Sequence, residues 1–467
     1  MIEGFTLKHN GIMPRHELHF GGKRMIRTLL IALVLLASFS YGQQSEVLVL
    51  DADSAVQMAL EKNSDITISR MDVSKAEQRL REARSGLFPK LDLSGQYQRY
   101  IEKPVIFLPE GTPFSPPGKP GILEIGSDNA FVGGVGLSIP LLSLGMHDGI
   151  KIASLGRQFS VENARSTEVK TVASVKKAFL AVIIAREYQN VMRQSLQNAQ
   201  ENFDHVNELN ESGVLSNYDR LRAQVGVENL KPLALQAENN FELAKEGLKI
   251  AIGIDAEQKI EVHGELAMAA SYQIPDIGEA MERMLANNPQ LNLVKQQLRI
   301  AGKTVDLERT AYFPTLAAFG SFQYQTQAND LKFSDFYWVN TFAIGLQMQV
   351  PVFNGFKTSS RVRQAQIARQ QVLEQEQSLA EALKTQAKSV VYRIEQAVKR
   401  ISGQEKTVQQ AEEGYEIAKM RLASGLGTQL ELNDAELALR QARVNRLQAI
   451  YDLRVAEVDL QYLSGDK

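Results

Sequence analysis

The chain has no cysteine among its 467 residues, which excludes a disulfide framework, a thiolate metal site and a lipid-bearing cysteine after an export signal. Its stability must come from packing or from assembly with other chains. Long apolar runs are also missing. Beyond the first 42 residues no segment approaches about 18 uninterrupted apolar residues, so a membrane crossing by this chain would require a β-barrel, not helices. An excess of positive charge is absent too. Setting aside residues 1–42, with five basic and two acidic side chains, leaves 47 basic and 52 acidic, a net charge of −5. That balance argues against nucleic acid as a partner.

Groups for catalysis are scarce in the same way. His147, His205 and His263 stand apart, with no His-x-x-x-His pair, and each reads as a surface residue and not a metal ligand. Gly355-Phe-Lys-Thr358 lacks the Gly-Lys pair of a phosphate loop and reads as a turn opening a helix. Gly425-Leu-Gly427 lacks the third glycine of a dinucleotide fingerprint. No cofactor, no metal and no enzymatic activity are expected.

What is present begins with an export signal. Lys23, Arg24 and Arg27 precede an apolar run from Leu29 to Leu36 and the small residues Ala37, Ser38, Ser40 and Gly42. This is the pattern of a secretory signal peptide cleaved near Gly42, with Met13 and Met25 as alternative starts. Residues 1–42 are therefore set aside from the fold.

The remainder repeats itself. Leu60-Glu-Lys-Asn-Ser-Asp-Ile66 is echoed by Leu285-Ala-Asn-Asn-Pro-Gln-Leu291, and Phe88-Pro89 by Phe313-Pro314, both displaced by 225 residues. Further on, Ile139-Pro140-Leu141 returns as Val350-Pro351-Val352, displaced by 211, and Gly213 and Gly253 return as Gly425 and Gly465, displaced by 212. A tandem duplication accounts for this, with copies at 43–253 and 276–467 and a linker at the waist, 254–275. The first copy carries 14 extra residues where 101–128 hold six of the fourteen prolines, the mark of a long loop.

Each copy reads as helix, strand, loop, strand, very long helix, turn, helix. Apolar residues recur at three and four spacings, as in Met192, Leu196, Ala199, Phe203 and Val206, and again in Leu432, Ala435, Leu439 and Ala442. That is coiled-coil spacing. Segments 145–211 and 355–424 each predict a rod ~100 Å long, which no ordinary globular core requires. The helices 54–86 and 216–252 together match the length of the first rod, and 276–311 and 428–464 that of the second. Stacked end to end beside each rod, they would give a wall of even height. Asp53 and Asp276 stand at the N-cap positions of the leading helices, and Gly86 with Pro89 ends the first.

Four segments, 87–100, 129–141, 313–325 and 340–352, alternate with period two. From Thr341 to Val350 the apolar set is Phe342, Ile344, Leu346, Met348 and Val350, against Thr341, Ala343, Gly345, Gln347 and Gln349. Phe131, Val135 and Leu137 form a second such set, while 315–325 alternates less cleanly. About ten residues suit a tilted membrane strand. A sandwich strand would alternate in the same way, but a sheet at the end of such rods has no soluble core to cover it, whereas lipid would. Phe342, Ile344, Leu346, Met348, Phe131, Val135 and Leu137 are therefore expected to face lipid. The loop 326–339 adds Phe333, Phe336, Tyr337 and Trp338, which suit a membrane interface. Because eight strands is about the smallest known barrel, several chains must contribute, and spacing allows two, three or four copies.

These features together resemble the TolC-like outer-membrane efflux proteins. The resemblance lies in Leu50-Asp-Ala-Asp-Ser-Ala-Val-Gln-Met-Ala-Leu60 as an opening helix, in the two Phe-Pro junctions and in the doubled order of elements, and it covers essentially the whole mature chain. It implies a mainly α fold with a small β part. Long helices would form an α-barrel in the periplasm, and four strands per protomer would contribute to a shared transmembrane β-barrel of a homotrimer. It also implies docking of the tunnel tip onto a periplasmic membrane fusion (adaptor) protein and an inner-membrane pump of resistance-nodulation-division or ABC type.

By the same resemblance the adaptor-contacting tips are Gly213, Val214 and Leu215 in the first copy and Gly425, Leu426, Gly427 and Thr428 in the second. Asp219 opens the returning helix, and Glu431 stands at the matching place in the second copy. Acidic constrictions near the tip point to Asp204 and Glu416, nine residues before each tip glycine, with Glu208 and Glu413 within a turn. Lys419 and Arg421 lie close by. The expected function is an outer-membrane channel of a tripartite efflux or type I secretion system, a passive conduit driven by the inner-membrane pump. The alternative is a periplasmic coiled-coil tether without a pore.

Overall fold

The computed structural model describes residues 47–118, 121–266 and 272–466. The expected signal peptide lies outside the described residues. Two units are distinguished, Met1–Leu48 with Glu257–Glu261, and Val49–Ala256 with Val262–Lys467. In the smaller, the Leu48 amide donates to the Lys259 carbonyl, 3.0 Å. Everything that follows concerns the larger.

Its elements run β1 (Leu48–Leu50, shared with the smaller unit), α1 (Ala52–Lys62), α2 (Ser64–Ser85), β2 (Lys90–Arg99), β3 (Val105–Leu108), β4 (Gly121–Glu124), β5 (Asn129–Leu142), α3 (Leu144–Glu211) and α4 (Asn217–Ile252). After β6 (Ile260–Val262, also shared) come α5 (Ile277–Asn287), α6 (Pro289–Thr310), β7 (Thr315–Ala328), β8 (Val339–Gln349), α7 (Lys357–Ala423) and α8 (Gln429–Leu463). The order two short helices, sheet strands, long helix, returning helix thus occurs twice. The extra residues of the first occurrence form the β3–β4 hairpin.

Helix ends follow from local chemistry. Asp51, and not Asp53, caps α1: its carboxylate accepts from the Ser54 amide at 2.7 Å while the Ser54 hydroxyl accepts from the Asp51 amide at 2.9 Å. Hydrogen bonding from the Ser54 side chain, then from the Ser54 amide, holds the Asp51 carboxyl below its ordinary range. Asp53 sits in the first turn, where a carboxylate favours the positive end of the helix. Asp276 caps α5 as expected, accepting from the Glu279 amide at 3.0 Å.

The leading helices differ from the uninterrupted 54–86 and 276–311 that periodicity suggests. Each breaks at an asparagine with extended backbone, Asn63 (φ −65°, ψ 129°) and Asn288 (φ −57°, ψ 122°). The side-chain oxygen of each caps the next helix, and its amide reaches the end of the returning helix: Asn63 Nδ2 to the Ala251 carbonyl and Asn288 Nδ2 to the Leu463 carbonyl, both at 3.0 Å. Gly253 (φ +85°) and Gly465 (φ +71°) close those returning helices in the left-handed region, where glycine is unstrained. A Cβ on Gly253 would sit 2.9 Å from the Asn63 Cα, and one on Gly465 would sit 2.5 Å from the Asn287 carbonyl oxygen. The repeated asparagine and the repeated glycine are therefore two sides of one joint.

The long helices lie beside stacked pairs. Arg157–Glu77 at 3.0 Å and Arg70–Glu168 at 3.3 Å place α2 antiparallel to the first half of α3, while α4 packs along its second half. Beside α7, α5 and α6 take the half next to the sheet and α8 the other. The seam of α7 and α8 is crossed by Arg393–Asp459, Arg400–Asp452 and Arg443–Glu412 at 2.8–2.9 Å, and Asp459 also receives Lys177 of α3. Beneath these pairs lies the core. Ile394, Ile401, Ala449, Leu453 and Met284 are fully buried, each large side chain contributing about 1.5–3 kcal/mol relative to exposure. Tyr415, Leu422, Leu432 and Leu439 form a smaller cluster toward the turn between α7 and α8. Among the described residues no helix is long and apolar enough to cross a membrane.

Candidate functional site

All four junctions between helix and sheet fall at one end of the rods, so β2, β5, β7 and β8 make a single antiparallel sheet in the order β2-β5-β7-β8. Its register sorts the side chains. Leu93 opposes Val135, which opposes Phe322, which opposes Phe342, and one rung along, Leu91, Leu137, Gly320 and Ile344 stand in line. On the other face Asp92, Gly136, Ser321 and Ala343 align, as do Gln96, Val132 and Gln325. Period two on every strand thus becomes one apolar and one mostly polar face.

Within the chain the apolar face is uncovered: Leu93, Phe342 and Ile344 are 85%, 71% and 75% exposed. Leu346, Met348, Val135 and Leu137 are exposed on that same face. Phe131 belongs to it by register but is half-buried, with ring centroids 4.7 Å from Tyr97 and 5.4 Å from Phe336. Trp338 stacks on Tyr324 at 5.2 Å. These aromatic contacts gather at the loop end of the sheet.

β7 alternates poorly in sequence because of Phe319, which the register puts on the polar face. A Cβ at Gly345 would meet the Phe319 ring at 2.7 Å, so the missing side chain of β8 is the space the ring fills. Both outer strands, β2 and β8, keep an unpaired edge among the described residues. At the helix junctions Phe88, Phe313, Phe353 and Phe356 are exposed. Gly355 and Phe356 both adopt φ +64°, so the phosphate-loop-like stretch is a left-handed turn that starts α7.

At the far end, the turn of α3 and α4 is built on Gly213 (φ +76°), with the Asn210 side chain donating to the Leu215 carbonyl at 2.9 Å. The turn of α7 and α8 uses Gly425 (φ +72°), and Arg421 donates to the Leu426 carbonyl at 3.0 Å while lying 3.7 Å from Glu431. Arg421 is thereby part of the turn. Ser216 with Asp219 and Thr428 with Glu431 cap the returning helices, the second as a full capping box. Val214 and Leu426 project outward, 68% and 73% exposed, whereas Gly427 backs closely onto Arg421.

The four candidate gate acids are all exposed and lie on two helices, Asp204 and Glu208 on α3, Glu413 and Glu416 on α7. Asp204 accepts from Gln200 at 2.9 Å and Glu413 from Gln409 at 3.3 Å, each one helical turn away. A feature the sequence gives no warning of lies nearby: a 230 Å³ cavity where α3, α4, α7 and α8 meet, lined by Asn198, Asn202, Asn229, Tyr415, Glu436 and Arg440. Glu436 and Arg440, one turn apart on α8, pair along its wall at 3.0 Å. Burial, then the charges of Glu436, Glu416 and Glu201, push the Tyr415 hydroxyl above its ordinary range. No local motif could reveal this, since its lining comes from four helices. Among the described residues no three histidine, aspartate or glutamate side chains are placed to hold a metal ion.

Comparison with known proteins gives a consistent picture. The family model described as outer membrane efflux protein matches residues 55–254 and 280–466. The alkaline protease secretion protein AprF of Pseudomonas aeruginosa is 22% identical over 312 residues, covering 66% of this chain and 63% of that protein. The outer membrane protein TolC of Vibrio cholerae is 23% identical over 304 residues, covering 64% and 68%. The crystal structure of the Campylobacter jejuni CmeC outer membrane channel superposes with a TM-score of 0.71 at 18% identity, over 98% of this chain and 94% of that one, a likeness of fold.

Proposed function

Because the chain belongs to the outer membrane efflux protein family, we propose that three copies assemble into one pore, each lending β2, β5, β7 and β8 to a shared barrel and its rods to a tunnel beneath. It is an outer-membrane protein whose helices extend into the periplasm. The observation that carries the pore is the four-stranded sheet, apolar and uncovered on one face, mostly polar on the other and unpaired at both edges. Lipid satisfies the first face, water the second, and sister subunits the edges. The repeated element order and the family match in two stretches support an origin by tandem duplication.

In this reading the protein is a passive conduit. An inner-membrane pump supplies the energy, and an adaptor grips the tips at Gly213, Val214, Leu215 and at Gly425, Leu426, Gly427 and Thr428. Exposed apolar groups on rigidly capped turns, Val214 and Leu426 above all, suit such a contact. Asp204, Glu208, Glu413 and Glu416 would line the narrowing, which an adaptor widens only by binding the open state more tightly. AprF is named for secretion of a protease and other relatives for efflux, and the cargo of this chain falls in one of those classes. The test is insertion of the purified protein into planar bilayers. Discrete conductance steps from a heat-modifiable oligomer are expected, and a protein that stays in buffer as a monomer and passes no current would leave only the rods, as in a tether.

A further inference from the structure

Between α3, α6 and α7, just below the sheet, lies an open groove of 780 Å³ whose charge runs against that of the chain. Arg299, Lys303 and Arg309 of α6 and Arg363 and Arg369 of α7 line it, with Asp306 the sole acid, so its walls carry four net positive charges in a protein whose total is −2. Asp306 is already engaged, 2.7 Å from Lys303 and 3.8 Å from Arg309. Among the described residues Arg299, Arg363 and Arg369 have no carboxylate within ion-pair distance. α7 opens with four basic residues, Lys357, Arg361, Arg363 and Arg369, and no acid before Glu374. Elsewhere along α7 the arginines are matched, as at Arg393 and Arg400. The Arg369 guanidinium lies against α6, its Nε 3.9 Å from where a Cβ on Gly302 would stand.

We propose that this groove is a binding site for a phosphoryl group. Three guanidinium forks without an acid partner exceed what the two oxygens of one carboxylate can satisfy. A phosphate offers three or more acceptor oxygens and fits the forks in bidentate fashion. The groove opens near the ends of the helices that meet the sheet, since Arg309 is one residue from the end of α6 and Arg363 is roughly 9 Å along α7 from its start. A phosphodiester on a membrane lipid and a free polyvalent phosphate both meet the requirement. Only the lipid source rests on the membrane reading given above.

The test is native mass spectrometry of the full chain extracted in neutral detergent, with phosphatidylglycerol, diacylglycerol or inorganic pyrophosphate added. At least one phosphoryl probe should be retained while diacylglycerol is not, and Arg299→Gln with Arg369→Gln should lower its occupancy at least tenfold. Lys399→Gln, farther along the same helix and paired with Glu395, should leave it unchanged. Retention of phosphatidylglycerol alone supports the lipid source, and retention of pyrophosphate supports a free anion. The site is overturned if neither phosphoryl probe exceeds diacylglycerol, if the double variant binds like the parent, or if Lys399→Gln loses as much. Binding is read without conductance, so a failure here is separate from a failure of the pore.

Discussion

The side-chain amide of Asn288 donates to the main-chain carbonyl of Leu463 across 175 residues of sequence, at 3.0 Å and out of reach of solvent. The same side chain caps α6 through the Leu291 amide. One residue thereby ends a helix, starts the next and holds the tail of a third, and Asn63 repeats the arrangement with Ala251.

Asn288→Ala removes the cap and leaves the Leu463 carbonyl buried without its donor. A loss of about 1–3 kcal/mol is expected. Asn63 is less buried, and its alanine variant should cost less. Denaturant unfolding of the two variants by circular dichroism checks the order, and equal midpoints for Asn288→Ala and the parent would remove the joint from the account.

Ile344→Arg puts a guanidinium on the apolar face of an edge strand. Assembly should be penalised by about 2–4 kcal/mol if the position is near the bilayer midplane. Thr341→Arg, on the opposite face, should assemble with far smaller loss. Yield of heat-modifiable oligomer in membranes measures both, and indifference of assembly to Ile344→Arg counts against lipid at that face.

Replacing Asp204 and Glu416 together by their amides should alter conductance or cation preference in planar bilayers, with larger effects at low salt, where screening is weakest. Identical currents at both salt levels would exclude the two acids from the constriction.

Burial raises the hydroxyl pKa of Tyr415, Tyr451 and Tyr272 above the ordinary value of 10.0. The folded chain therefore holds these protons more tightly than the unfolded chain. Their contribution is complete below pH 10, declines as pH rises above it and is lost once pH passes the raised folded values. Unfolding midpoints should fall above pH 10, and Tyr415→Phe should make that fall shallower. An unchanged alkaline slope in the variant would show that Tyr415 titrates normally.

Much of the fold could be read from the residues because its elements carry their own period. In β8 every second residue is apolar, and the register needs no other strand to be recognised. The rods announce themselves through three and four spacing sustained over some 67 residues. What escaped depends on distant partners. Both asparagine joints lie inside the repeated motif, yet an asparagine in a helical pattern is only a weak helix former. Its power to stop the helix comes from Ala251 and Leu463, far along the chain. Phe319 spoils the alternation of β7 because its tolerance is written in Gly345 of the neighbouring strand. Asp51 and Asp53 are equally placed in sequence to open the helix, and only Ser54 decides between them. The candidate gate acids are exposed and divided between α3 and α7.

The open outer edges of β2 and β8 also say something about the life of the protein before it reaches its membrane. A newly exported copy would present two ladders of free amides and carbonyls beside a greasy sheet, a template for stacking with any similar strand. Escort by a holding chaperone, and insertion tied to the meeting of sister copies, would keep that template from seeding aggregates.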